Sequence, residues 1–195
     1  MFAGCTSLSA APELSATTIA ANCYRSMFSG CTSLPSAPAL PAMMIAAGCY
    51  NSMFQRCISL TSAPALPATT LINNCYSNMF SGCTSLTQAP ALPATTLAER
   101  CYQAMFSGCS SLTSAPALPA TTLAERCYQD MFFNCASLQS VSASFSSWGT
   151  STLWLNGVSS SGTFYCPTAL GTDATITRGP SNCPTGWTVI NTDVA

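Results

Sequence analysis

The chain has no histidine and no lysine, and its five arginines and six acidic residues leave a formal net charge of −1 over 195 residues. Nucleic-acid binding needs clustered Arg and Lys, so this composition argues against a nucleic-acid partner. General acid–base catalysis has no candidate, because histidine is absent and no two acids form a pair. No base accompanies the serines, and no group lowers the pKa of the cysteines. We therefore expect no enzyme, no catalytic residue and no cofactor.

Long apolar runs are also missing. No segment approaches the ~18–20 apolar residues that a membrane-spanning helix needs, so we expect no membrane span. The first residues, Met1–Leu8, have neither the basic region nor the apolar region of a secretory signal. Either the chain is cut from a longer array, or it is a natural start and the protein needs no signal of its own. The sequence leaves both open.

What the chain does have is a repeat of 26 residues. A Met-Phe pair marks each copy and begins at Met1, Met27, Met53, Met79, Met105 and Met131. A fixed period of roughly 20–29 residues, with leucine at fixed places, is typical of leucine-rich-repeat solenoids. The period ends after Leu138, where Ser, Thr, Gly and aromatic residues become frequent.

Each copy predicts one short helix. Thr96–Glu99 fits a capping box, so a helix is expected over Arg100–Phe106, with Gly108 placed to end it. The same box recurs at Thr122–Glu125. Earlier copies have Ala47-Gly48 or Asn73-Asn74 in place of Glu99-Arg100, which predicts weaker helix starts there.

Each copy also predicts one short parallel strand, centred on the leucine that follows the helix. A proline four residues after this leucine ends the strand, because proline has no amide for a stacked ladder. We therefore expect strands of about three to five residues. Stacking of neighbouring copies buries one continuous core, with four expected kinds of column. These are Leu34/Leu60/Leu86/Leu112/Leu138, Leu40/Leu66/Leu92/Leu118, Ile45/Leu71/Leu97/Leu123 and the Met-Phe pairs.

The expected fold class is thus an α/β repeat: a leucine-rich-repeat solenoid of about five units, each with a short parallel strand, a turn and a short helix. The expected domains are the solenoid over residues 1–139 and a small β-rich cap over residues 140–195. Within the cap, Thr152–Leu155 and Gly162–Tyr165 alternate in polarity and predict short strands. Such a cap would cover the open edge of the last repeat and block end-to-end stacking.

Thirteen cysteines would ordinarily suggest a disulfide framework, but eleven of them lie in two columns. The two cysteines of one copy, such as Cys101 and Cys109, are too far apart along a helix to be bridged. Zinc is disfavoured because no Cys-x-x-Cys and no histidine are present. The favoured interpretation is a ladder of buried free thiols that donate weak bonds to the backbone. Disulfides between neighbouring copies stay an alternative.

Two cysteines and three tryptophans of the tail leave further alternatives. Cys166 and Cys183 both precede proline, so they form a possible disulfide or two free buried thiols. Trp148, Trp154 and Trp187 are expected to form the core of a small β-unit, with carbohydrate stacking as the alternative.

The stretch Phe80-Ser-Gly-Cys83-Thr-Ser-Leu86, followed by Leu92-Pro93, resembles leucine-rich repeats of the BspA type over residues 1–139. That family has an aromatic-x-x-Cys-x-x-Leu core and a Leu-Pro turn. Cys101 departs from it, since the family commonly has an Ile-Gly turn there. The tail resembles a terminal module that follows such repeats in gut Bacteroides-type bacteria and their phages. The resemblance implies a surface-exposed, non-catalytic recognition or adhesion protein.

Binding through the array is therefore the expected function, with a protein or glycan on a cell surface as partner. The candidate face consists of Thr61, Ser62, Thr87, Gln88, Thr113 and Ser114, which are otherwise merely solvated positions. The expected location is the surface or exterior of an anaerobic bacterium. The alternative is a phage tail-associated or other virion structural or receptor-binding protein, which assembles in the cytosol and keeps its thiols reduced.

Overall fold

The computed structural model describes residues 1–193 and contains no α-helix in that range. Its regular elements are β1 (Ser140–Ser142), β2 (Thr163–Cys166), β3 (Thr188–Asn191) and a 3-10 turn (Thr168–Leu170). The strands form one parallel sheet in the order β1-β2-β3. The predicted fold class, a leucine-rich-repeat solenoid with a helix in each unit, is therefore wrong.

Overlapping turns replace the helix predicted over residues 100–106. The amide of Cys101 donates to the carbonyl of Ala98, and that of Met105 to Tyr102, each at 3.2 Å. The third residue of each turn has a positive φ, as in type II turns: +51° at Arg100, +49° at Ala104 and +74° at Gly108. A right-handed α-helix has no place for such residues. We call this segment the turn ribbon, defined as residues 22–30, 48–56, 74–82, 100–108 and 126–134.

Alternate amides of the turn ribbon bond to the next copy instead of closing a turn. Tyr102 donates to the carbonyl of Cys127 at 3.1 Å, Ala104 to Gln129 at 2.8 Å and Phe106 to Met131 at 2.9 Å. Every second amide thus joins one 26-residue coil to the following coil. Because the remaining amides close turns within the coil, the ribbon satisfies its donors without a helix.

The spacing between coils also excludes a helix. Rings of Phe54 and Phe80 lie 5.7 Å apart and within 4° of parallel, and those of Tyr76 and Tyr102 lie 5.8 Å apart. An α-helix with its side chains is about 10 Å wide, so helices could not stack at this distance. The predicted capping box is absent as well, since exposed Thr96 forms an isolated parallel bridge with Thr70.

Three of the four kinds of core column predicted from the repeat are confirmed. Both leucine columns and the Met-Phe pairs from the second coil onward are buried, whereas Ile45, Leu97 and Leu123 are only half-buried. The strands before the prolines are shorter than predicted. They are reduced to single parallel bridges, such as Ser36 with Ser62 and Ser62 with Gln88, because the next residues run into a segment whose prolines lack amides.

The tail continues the same stack. The bridge between Ser114 and Ser140 leads directly into β1, and β2 and β3 add two further coils in parallel. The ribbon also continues, because Gly149, Leu153 and Gly157 have positive φ and Phe132 donates to the carbonyl of Trp154 at 2.9 Å. The composition change at Ser140 thus coincides with no break in the backbone ladder. Of the two strands predicted in the tail, Gly162–Tyr165 overlaps β2, and Thr152–Leu155 lies in turns.

Trp154 ends both aromatic columns. Its ring lies 6.3 Å from Tyr128 and 6.4 Å from Phe132, so one indole covers the last member of each column. Trp154 and Trp187 are both 2% exposed and Trp148 is half-buried against Phe145 and Phe164. The prediction that these tryptophans form a core is confirmed.

Candidate functional site

Within residues 1–193 no three side chains of the metal-ligating types come together. Three ion pairs in this range join charged residues close in sequence, such as Glu99 with Arg100 at 2.7 Å and Asp173 with Arg178 at 2.8 Å. The Asp173 carboxylate also accepts the amide of Val189, which, ahead of the Arg178 guanidinium, lowers the pKa of Asp173. These pairs fix turns of the backbone and do not surround a cavity.

The first cysteine column is built into the backbone ladder. Cys57 donates its thiol to the carbonyl of Phe28 at 3.1 Å, and the same carbonyl accepts the amide of Cys31 at 3.0 Å. Burial raises the pKa of Cys57 to about 12, so the thiol stays protonated and does not act as a nucleophile. The equivalent thiols of Cys31, Cys83, Cys109 and Cys135 donate to Phe2, Phe54, Phe80 and Phe106.

All thirteen cysteines are free in the structure. Those of the second column are buried from Cys49 onward, and burial raises the pKa of Cys49 to about 11. The predicted burial is found for nine of the eleven column cysteines, whereas Cys5 and Cys23 are exposed, and the reduced state of the thiols stays a prediction. Cys166 and Cys183 are likewise free and buried, and Cys183 accepts a bond from the Arg178 guanidinium at 3.2 Å. A disulfide between these two stays a prediction, which a count of free thiols in the purified protein would test.

All six residues of the predicted binding face are exposed. They form two neighbouring rows on one side of the stack, which we call the Thr/Ser face. The first row contains Thr61, Thr87 and Thr113, and the second contains Ser62, Gln88 and Ser114. Successive members belong to successive coils, so the rows are parallel to the stacking direction.

Backbone contacts hold the Thr/Ser face in place. Thr87 donates both its amide and its hydroxyl to the carbonyl of Thr61, each at 3.4 Å. Ser62 and Gln88 form a parallel bridge, which places coils about 4.8 Å apart at this side. The hydroxyls of Thr61 and Thr87 thus donate to carbonyls of the preceding coil, Pro35 and Thr61, and leave their oxygen lone pairs for a ligand. The face is regular, rigid and uncharged.

Three other surfaces were not identified from the sequence as candidate sites. A second exposed strip, the Thr-Thr row, consists of Thr17, Thr18, Thr69, Thr70, Thr95, Thr96, Thr121 and Thr122, with Met43 and Met44 at the corresponding places of the second coil. Shallow apolar grooves lie between successive Pro-Ala-Leu-Pro segments, and one of about 540 Å³ is lined by Leu92, Pro93 and Pro116. A polar cleft of about 320 Å³ lies beside Arg25 and is lined mainly by asparagines. The recurring Thr-Thr and Pro-Ala-Leu-Pro motifs in the sequence could have indicated the Thr-Thr row and the apolar grooves.

No family model, no curated protein and no solved structure matches this chain. Nor does any helix within residues 1–193 have the length and apolar character needed to cross a membrane.

Proposed function

We propose that the chain is a non-enzymatic recognition or adhesion protein that binds a protein or a glycan on a cell surface. The observation that carries this proposal is the Thr/Ser face, whose six exposed residues stand in two rows on a rigid backbone. A stacked array that keeps identical groups at a fixed spacing suits an extended partner, and repeat proteins commonly bind through such faces.

The chemistry of the face favours an uncharged ligand. Hydroxyls and one amide can exchange hydrogen bonds with sugar hydroxyls or with a peptide backbone, and none of the six residues carries a charge. Binding should therefore depend little on ionic strength, because screening acts on charge pairs. This role implies an exterior location, which we propose to be the surface of an anaerobic bacterium.

A second candidate function is a virion component, such as a phage tail-associated or receptor-binding protein. The free thiols favour this alternative, since a protein with thirteen unpaired cysteines suits assembly in a reducing compartment. The Thr/Ser face would serve a receptor-binding virion protein equally well.

The test is binding of fluorescently labelled protein to intact anaerobic gut bacteria, to epithelial cells and to matrix proteins, compared side by side. Gln88→Arg places a charge in the middle of the Thr/Ser face. Thr95→Arg is the matched control, because Thr95 is exposed in the same coil on the Thr-Thr row. We expect Gln88→Arg to weaken binding at least about tenfold, because an unpaired charge is costly to bury at an interface, and Thr95→Arg to change it little.

Equal binding by the wild type and Gln88→Arg would contradict the role of the Thr/Ser face. Loss of binding only in Thr95→Arg would assign recognition to the Thr-Thr row instead. Binding to none of the three targets would contradict cell-surface adhesion and favour a structural role in a virion.

A further inference from the structure

A small cleft of about 250 Å³ lies in the tail and shares no residue with the Thr/Ser face or the Thr-Thr row. One wall consists of residues 155–160, and the other contains Gly179, Pro180, Pro184 and Thr185. We call it the tail cleft. Sites for drug-sized ligands measure roughly 300–1,000 Å³, so the tail cleft suits a smaller molecule.

Hydrogen bonds hold the walls of the tail cleft in place. The amide of Leu155 donates to the carbonyl of Pro180 at 3.3 Å, which joins the two walls directly. The indole of Trp187, which is 2% exposed, donates to the carbonyl of Ser159 at 2.8 Å. The amide of Ser159 donates to the carbonyl of Leu138 at 3.3 Å. The cleft is therefore formed without a ligand, so binding costs little ordering of the backbone.

Polar groups of both walls have no partner within the protein. Across residues 1–193, the backbone amides of Gly157, Val158, Ser160 and Thr185 donate to no protein group. The side chains of Asn156, Ser160 and Thr185 form no hydrogen bond in that range either. The backbone amides can donate to a ligand, and the two hydroxyls and the side-chain amide can both donate and accept.

The lining of the tail cleft excludes several classes of ligand. None of the ten described residues that line it is charged or aromatic. Without a cation the cleft does not favour a phosphate or a carboxylate, and without an aromatic ring it cannot stack a nucleobase. What remains suits a neutral sugar. Its hydroxyls pair with the free polar groups, and the rings of Pro180 and Pro184 contact its C–H groups.

We propose that the tail cleft binds one neutral sugar ring, the terminal residue of a glycan. The free amides of Gly157, Val158 and Thr185 donate to the sugar hydroxyls, and the Asn156 and Ser160 side chains donate and accept. This site goes beyond the proposed function, because it uses none of the residues of the Thr/Ser face. Its test therefore gives a result of its own.

Titration of the isotope-labelled protein with soluble sugars, followed by NMR, tests the proposal. The probes are the methyl glycosides of glucose, galactose, mannose and N-acetylglucosamine, with glucuronic acid as the charged comparison. At least one neutral glycoside should shift the amide signals of Gly157, Val158 and Thr185, and that of Gln88 on the Thr/Ser face should stay in place. The dissociation constant should be on the order of 1 mM, because a single sugar makes few contacts.

Thr185→Val removes one hydroxyl of the cleft and nearly keeps the shape of the side chain. Thr152→Val is the matched control, because Thr152 is also exposed in the tail and does not line the cleft. Thr185→Val should weaken binding about threefold or more, since one hydrogen bond is lost, and Thr152→Val should leave it unchanged. The remaining amide signals report whether each variant is folded.

Three results would overturn the proposal. The first is that no neutral glycoside shifts the signals of the tail cleft at about ten times the expected dissociation constant, or that only glucuronic acid does so. The second is a shift at Gln88 without one in the cleft, which would assign sugar binding to the Thr/Ser face. The third is equal affinity of Thr185→Val and the wild type.

Discussion

Replacing Ala104 with glycine should stabilise the protein if this segment is a turn ribbon and destabilise it if the segment is a helix. Ala104 has a φ of +49°, a conformation that costs a residue with a Cβ roughly 1–2 kcal/mol and costs glycine almost nothing. Glycine loses about 0.4–1 kcal/mol of this gain through its freer unfolded chain. Ala104→Gly should therefore stabilise the protein by about 0.5–1 kcal/mol. In a helix the same change would destabilise it by about 1 kcal/mol.

Thermal unfolding measures this difference. For a chain of this size 1 kcal/mol corresponds to about 2–4 °C, so the melting temperature of Ala104→Gly should rise by about 1–4 °C. Ala98→Gly is the matched control, because Ala98 belongs to the same coil and is absent from the positive-φ residues. It should lower the melting temperature, at a cost of roughly 0.5–1 kcal/mol. A fall for Ala104→Gly similar to that for Ala98→Gly would refute the ribbon.

Two further predictions follow from the core. Burial raises the pKa of Cys57 to about 12 from an ordinary value of 9.0, so its contribution to stability is complete below pH 9 and is lost as the pH rises towards 12. The urea midpoint should accordingly be lower at about pH 10.5 than at about pH 8, and equal midpoints would contradict the buried thiol ladder. Trp154→Ala should cost about 3–5 kcal/mol, because the indole covers Tyr128 and Phe132, and Trp148→Ala should cost less since Trp148 is half-buried. Equal losses in urea unfolding would contradict the role of Trp154 in ending both columns.

The stacking of coils could be predicted from the sequence because the period places identical side chains in register. The leucine columns and the Met-Phe pairs needed nothing more than the 26-residue repeat. The prolines, which occupy the same position in every repeat, correctly predicted that only a short stretch of backbone is paired. The structure shows an even shorter pairing, of single bridges. The exposure of the Thr/Ser face followed from its position beside these bridges.

The helix could not be excluded from the two C-terminal copies, because Thr96–Glu99 satisfies the sequence pattern of a capping box. The local helix propensity is outweighed by the hydrogen bonds between coils, because alternate amides donate to carbonyls of the next copy. A signal was present in the earlier copies. Gly48 and Asn74 occupy the place of Arg100, and glycine and asparagine are the residues that most readily adopt positive φ.

The 26-residue period ends after Leu138, so it could not predict that the stack continues beyond residue 139. Coils in the tail differ in length and share no repeat motif, so only the paired backbones of β1, β2 and β3 reveal them. Gly149 and Gly157 mark the ends of the last ribbon-like segment, yet their spacing alone does not distinguish it from an ordinary loop.

Alternate amides of each coil bond to the next coil, and this pattern defines the turn ribbon. The most direct measurement is the scalar coupling across hydrogen bonds between amide nitrogen and carbonyl carbon, by NMR on the uniformly labelled protein. The structure predicts a coupling from the amide of Tyr102 to the carbonyl of Cys127, whose atoms lie 3.1 Å apart. A coupling from Tyr102 to the carbonyl of Ala98, four residues earlier as in an α-helix, would contradict the account.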